Sequence, residues 1–284
     1  MSDSPAPAVV WTVLALTGLW AGLRWFEAFN VYVPSRVETA HPGTYGLPYE
    51  DLWLTAGDGG RSHAWFLDAG LPSKSKLPLP APLASEPLRL PKGTRPVVVI
   101  FHGNGGNISN RLDKARALRA MGLSVLLFDY RGYGESPGRP RERGLYEDSE
   151  AAAREALRRA GGDPGRLVYY GESLGCAAAL ETALRLRPAA LILDSPFTSI
   201  ADMSRDVYPW LPARLLVTQR FDNIGKIGAL GAPLLVLHSP ADDVIPFRLG
   251  RRLYEAAPEP KRFVETRGDH NEGFLDTPTW ASSL

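Results

Sequence analysis

The sequence predicts an α/β protein: a mostly parallel central sheet with helices on both faces, preceded by an N-terminal antiparallel hairpin. Three observations carry that prediction. From Pro96 onward, short and continuously apolar runs alternate with longer segments of helical pattern, and strands apolar throughout are those buried on both sides of a parallel sheet. Each run ends in a polar or glycine-rich cluster, the composition of loops that gather at the carboxyl edge of such a sheet. Before Pro96, Tyr49–Thr55 (YEDLWLT) and His63–Leu67 (HAWFL) flank the turn sequence GDGG and read as a hairpin.

Taken in order, PVVVIFH is a strand, Asn110–Met121 a helix and LSVLLFDY a second strand. A helix over Tyr146–Arg159, the strand RLVYYG, a helix over Cys176–Leu186 and the strand AALILD follow. PLLVLH, a helix over Arg248–Ala256 and the strand KRFVET complete the alternation. Residues 69–96 carry seven prolines and cannot supply ladder donors, so they read as an exposed loop insert. Residues 198–232 interrupt the alternation and read as a small helical cap; Tyr208, Trp210, Leu211, Leu215 and Leu216 in it line an acyl pocket or pack the cap on the sheet.

Composition narrows the function. Lys and Arg total 32 against 31 Asp and Glu, a net charge of +1, which provides no field for a phosphate backbone and excludes nucleic acid as a partner. The single cysteine, Cys176, excludes an intrachain disulfide and a four-cysteine zinc site. No residue from Ser4 to Leu23 is charged, and as a helix that stretch spans roughly 30 Å, the thickness of bilayer hydrocarbon. Residues 1–30 therefore read as a membrane anchor and its flank. A signal peptide is the rival, without a basic n-region to support it. Arg24 and Arg36 follow the segment and no Lys or Arg precedes it, which places the remaining domain, 31–284, on the cytoplasmic side.

The chemistry gathers in the loops. Ser173 lies in GESLG between a strand and a helix, the G-x-S-x-G context that bends the backbone sharply enough to expose a hydroxyl. A serine needs a base, and of five histidines His270, in GDHNE after the last strand, takes that role. His102 and His238 close strands and read as structural donors, while His41 and His63 precede the alternating core and fall outside the sheet edge. The acid that holds the imidazole tautomer is Asp242 in HSPADDVIP, with Asp243 as the alternative, left to cap the next helix or meet solvent. Asp194, in DSPF, reads as a turn or cap residue. The oxyanion donors are the backbone N–H groups of Leu174 and of Asn104, whose glycine-rich loop HGNGGN permits close approach.

The ordered set YVP (32–34), YEDLWLTAGDG, HGNGGN, FDYRGYGES, YGESLG, LDSPFTS, HSPADDVIP and GDHNE resembles the α/β-hydrolase superfamily, and within it the membrane-anchored ABHD-type serine hydrolases with a serine-aminopeptidase-like domain. The resemblance runs from about Val31 to Phe274, departing at the longer insert of 69–96 and at the short stretch after His270. It implies an α/β-hydrolase fold, Ser173 as nucleophile, Asp242 as acid, His270 as base, and the Asn104 and Leu174 amides as oxyanion hole. The expected activity is that of a serine esterase or thioesterase needing no cofactor and no metal, acting on a small-molecule or acylated substrate. An amidase or peptidase shares the machinery. A non-catalytic, membrane-anchored interaction protein on the same fold is the alternative, disfavoured by serine, acid and histidine standing in three matching loops.

Overall fold

A computed structural model describes residues 6–73, 75, 96–210, 212 and 216–271. In chain order these form α1 (Ala6–Val31), β1 (Val33–Pro34), β2 (Glu50–Thr55), β3 (Arg61–Leu67), β4 (Val97–Phe101), β5 (Gly105–Gly106), α2 (Leu112–Ala120), β6 (Ser124–Phe128) and α3 (Glu142–Arg159). The second half comprises β7 (Leu167–Glu172), α4 (Leu174–Arg185), β8 (Ala190–Asp194), α5 (Ile200–Val207), β9 (Leu234–His238), α6 (Phe247–Ala256) and β10 (Lys261–Glu265). Most of the proline-rich insert lies outside the described residues.

Eight strands build one sheet in the order β10-β9-β8-β7-β4-β6-β3-β2, parallel except where β3 runs antiparallel to both β6 and β2. The reason is visible in β4: Val97, Val99 and Phe101 join the core on one face, Val98 and Ile100 the core on the other. A strand apolar at every position has no face to turn to water, so helices must cover both. The alanines of α3 and α4 and the leucines of α6 pack on the first face, while Leu112, Ala115 and Leu118 of α2 pack on the second.

Three boundaries differ from the periodicity. Helix α3 begins at Glu142 rather than Tyr146, because Gln219 Oε1 accepts the Glu142 N–H at 2.7 Å and caps the first turn from 77 residues away. Helix α2 starts at Leu112, after a 3₁₀ turn capped by Asn107, whose side chain accepts the Ser109 N–H at 2.9 Å. Helix α4 starts at Leu174, directly after the serine. A larger correction concerns His63. It was expected away from the carboxyl edge, but β3 is antiparallel to β6, so His63 sits beside the end of β6, where the Asp129 N–H donates to its carbonyl at 2.9 Å.

Helix α1 is long and apolar enough to cross a membrane by length and composition over Val9–Val31, and its most apolar 18-residue window, at mean hydropathy 1.4, is not buried against the domain. Its last turns are different. Glu27 accepts the backbone N–H groups of Thr218 and Gln219 and the Thr218 hydroxyl at 2.6–2.7 Å, and Arg24 donates to the Leu216 carbonyl. Arg36 donates to the Ser136 carbonyl at 2.6 Å, so both arginines that flank the apolar stretch are bound to the domain. Val33 N–H then donates to the Asn104 carbonyl at 3.0 Å, joining β1 to β5.

Below the carboxyl edge lies a charge network. Lys114 of α2, 5% exposed, contacts Glu172 Oε1 at 2.6 Å and Asp194 Oδ2 at 3.1 Å. Arg111 adds a second cation to Glu172 at 3.2 Å, and the Tyr170 hydroxyl donates to Asp194 at 2.6 Å. Burial would push the Glu172 carboxyl up, but Lys114 and Arg111 outweigh it and hold the pKa down at about 2. A carboxyl depressed in the folded state contributes stability above its ordinary value and loses it as the pH falls through the folded one. The stability difference between wild type and Glu172→Gln, measured by urea unfolding, is therefore expected to shrink as the pH falls from 4.5 toward 2. A difference constant over that window would mean that Glu172 is not held charged by its partners.

Candidate functional site

The turn from β7 into α4 is set by two glycines. A Cβ at 171 would sit 2.7 Å from the Cys176 Cα and from the Gly175 carbonyl oxygen, and one at 175 would overlap the carbonyl oxygen of Phe101 in β4. Helix α4 thus starts in contact with two strand backbones, and only hydrogen fits at those positions. Between them Ser173 is forced to φ 51°, ψ −118°. Such conformations cost an L-residue of order 1–3 kcal/mol and persist only where the surroundings dictate them. Here Ser173 N–H donates to the Asp194 carbonyl at 2.9 Å, and Cys176 N–H to the Ser173 carbonyl at 3.0 Å. Cys176 itself is buried, its thiol donating to the Gly171 carbonyl, and burial pushes its pKa up.

After β9 and β10 the chain brings an acid to a histidine. His270 Nδ1 lies 2.8 Å from Asp242 Oδ2 and 3.0 Å from Oδ1. The Asp242 side chain is fully buried, and Val244 and Ile245 N–H groups donate to its Oδ1 at 2.9 and 2.7 Å. Burial alone would raise this carboxyl, but hydrogen bonds from His238 and His270, and the backbone of Ile245, hold it well below the usual carboxylate range. His238 Nε2 is 3.3 Å from Asp242 Oδ2 and 3.1 Å from the Ile245 carbonyl. The two loops are tied together by Ser239 Oγ, which donates to the Gly268 carbonyl at 2.6 Å. Asp243 is exposed and, rather than capping α6, accepts the His270 backbone N–H at 3.2 Å.

Ser173, His270 and Asn104 line one cavity of about 430 Å³. Among the described residues no hydrogen bond joins Ser173 Oγ to the imidazole, although both line the same opening. The Asn104 and Leu174 N–H groups are not among the backbone donors that hold these turns. The Asn104 carbonyl is fixed by Val33 N–H and by the Tyr133 hydroxyl at 2.9 Å, which sets the plane of that loop.

Arg111, Lys114 and Glu172 line the cavity too, and sequence reasoning did not find them; Asp194, read from the sequence as a turn or cap residue, lines it as well. Asp194 is an ion-pair member here, not a cap, because Lys114 reaches it from α2 across the sheet edge. Conversely, the described apolar cap residues, Tyr208, Trp210 and Leu216, do not line this cavity. Tyr208 and Leu216 border a separate small cavity against Leu23, Phe26 and Val31 of α1, Trp210 is 76% exposed, and Leu211 and Leu215 lie outside the described residues.

Residues 92–224 match the family described as serine aminopeptidase, S33. An uncharacterized protein of Mycobacterium tuberculosis is 48% identical over 181 residues, 63% of this chain and 64% of its own, so the chain spans slightly under two thirds of that relative. The alpha/beta hydrolase domain-containing protein WAV2 of Arabidopsis thaliana is 31% identical over 84% of this chain and 78% of its own. The lysophosphatidylserine lipase ABHD12 of Danio rerio is 34% identical over 60% of this chain and 49% of its own. Among solved structures, the Pyrococcus furiosus esterase Pf2001 matches with a TM-score of 0.67 over 89% of this chain and 95% of its own, at 18% identity, a likeness of fold. Kinship over most of the chain, on a sheet whose order and edge loops are those described above, makes this protein a member of the α/β-hydrolase superfamily.

Proposed function

We propose that the protein is a serine hydrolase of carboxylic esters or thioesters. The observation that carries this reading is the buried Asp242 carboxylate on His270 Nδ1 at 2.8 Å, with the imidazole opening onto the cavity that also holds Ser173 on its strained turn. Ser173 Oγ attacks the carbonyl carbon while His270 Nε2 takes its proton. Asp242 keeps the proton on Nδ1, so that Nε2 presents a lone pair, and stabilises the imidazolium that results. The tetrahedral oxyanion takes the Asn104 and Leu174 N–H groups. Collapse expels the alcohol or thiol, protonated by His270, and leaves an acyl group on Ser173; water, deprotonated by the same imidazole, releases the acid. Every step uses side chains and amides of this chain alone.

The cavity beside Ser173 is walled by paired charges and amides, which suits a substrate with a polar, hydrogen-bonding portion next to the ester. Residues 1–30, as a membrane anchor, would bring the domain to a lipid surface from which an acyl chain can be drawn. The likeness to a lysophosphatidylserine lipase points the same way. The substrate class is thus a lipid-like ester with one acyl chain and a polar head.

Purified wild type is expected to label with a fluorophosphonate, and Ser173→Ala not at all; a folded wild type that fails to label refutes the activated serine. Asp242→Asn should lower kcat by roughly 10³–10⁴-fold through the wrong imidazole tautomer. Asp243→Asn should stay within a few-fold of wild type, since an amide oxygen still accepts the His270 N–H. The reverse ranking would make Asp243 the acid. For esters of graded chain length, kcat/KM should rise with acyl length and be highest for a monoacyl glycerophospholipid in mixed micelles. Acetate esters turning over fastest would remove the lipid-like substrate while leaving the serine hydrolase intact.

A further inference from the structure

A second polar cluster lies behind the oxyanion loop, apart from the Ser173 cavity. Glu38 comes from the connector after β1, His63 from β3 and Asp129 from the residue after β6. A carboxylate oxygen of each acid and a ring nitrogen of the histidine all lie within 4.8 Å of one another. His63 is 1% exposed and Asp129 fully buried.

The hydrogen bonding of these groups is one-sided. His63 Nε2 lies 2.8 Å from Asp51 Oδ1, so that carboxylate takes the ring N–H and leaves a lone pair on Nδ1. Nδ1 faces Glu38 Oε1 at 3.3 Å without hydrogen-bond geometry. Asp129 uses Oδ1 to accept the Ile108 N–H at 3.0 Å, while its Oδ2 is buried and makes no hydrogen bond. Glu38 Oε1, His63 Nδ1 and Asp129 Oδ2 are thus three buried, electron-rich atoms in one cluster, none of which receives a hydrogen bond. Leaving even one such group unsatisfied typically costs about 1–3 kcal/mol. His102 Nε2, 3.3 Å from Asp129 Oδ1, adds a fourth buried polar atom without a hydrogen bond at the margin of the cluster.

We propose that Glu38, His63 and Asp129 bind one divalent transition-metal cation, with the donor set of a zinc site. Two features fit. A histidine that ligates through one nitrogen almost always gives its other N–H to a carboxylate, which is the relation of His63 to Asp51. Ligand atoms about 2.0–2.2 Å from a tetrahedral ion stand roughly 3.4 Å apart, close to the 3.3 Å between His63 Nδ1 and Glu38 Oε1. With all ligand atoms within 4.8 Å of one another, the widest pair closes by at most roughly 1.4 Å. One imidazole and two carboxylates favour zinc or manganese over calcium, which prefers oxygen alone.

The ion's role is structural. None of the three ligands lines the Ser173 cavity. Through Glu38 the ion pins the connector that follows α1. Through Asp129 it braces the Ile108 turn, four residues beyond Asn104. The competing arrangement is a proton in place of the cation, with His63 an imidazolium between Asp51 and Glu38.

The test uses full-length, untagged protein in detergent, stripped with a chelator and titrated with Zn²⁺, then Mn²⁺, with Ca²⁺ as a control. Wild type is expected to take up about one Zn²⁺ per chain, with a melting temperature that rises until one equivalent is bound. Glu38→Gln and His63→Gln should lose both the uptake and the rise. Fluorophosphonate labelling of Ser173 should persist with and without the ion, which keeps this test separate from that of the serine. Wild type binding under about 0.1 equivalent of either transition metal, with no thermal shift, overturns the proposal in favour of the proton. So does uptake that is undiminished in a folded Glu38→Gln or His63→Gln protein.

Discussion

The tightest constraint in this structure is the absence of space between the start of α4 and the backbones of β4 and β7. With hydrogen as the only substituent that fits at 171 and 175, the helix can begin immediately after the strand, and the residue between has to take a positive φ. Much else depends on that junction. The Ser173 N–H is directed to the Asp194 carbonyl, which links β8 to the turn, and Ser173 lines the cavity at the sheet edge. Strain at one residue is thus the local cost of a close helix–sheet contact made by many.

The charge network beneath the edge solves a different problem. Lys114 enters from α2 into a region where two strand ends place Glu172 and Asp194 side by side, and two carboxylates so close would repel without it. The same cations that hold Glu172 charged also line the cavity wall. Packing and electrostatics of the edge are therefore one arrangement, and a change to α2 alters both. This is why the cavity is polar although the sheet beneath it is apolar at nearly every position.

Most of the sheet was legible because continuous apolar runs and glycine-serine turns are local signals. Ser173, Asp242 and His270 stand out as candidates because each lies in a loop that follows a strand. Other features depend on contacts remote in sequence. Gln219 caps α3 across 77 residues, which no helical period reveals. The partners of Lys114 lie on two other strands. His63 was misplaced for a topological reason: with one antiparallel strand in a parallel sheet, a residue near the start of β3 reaches the same edge as the end of β6. The apolar count along residues 4–23 also said nothing of the last turns of α1, where Arg24 and Glu27 are committed to residues 216–219.

That commitment has a mechanical consequence. Helix α1 passes into the domain with no slack: Tyr32 N–H still donates to the Ala28 carbonyl, and the next residue is already hydrogen-bonded to Asn104. A tether of flexible chain would let the domain swivel and sample its surroundings. Here the helix acts as a rigid mast about 39 Å long, its foot bonded to the loop whose amide is proposed to meet the oxyanion. In a bilayer, the tilt of the mast would set the direction in which the cavity opens.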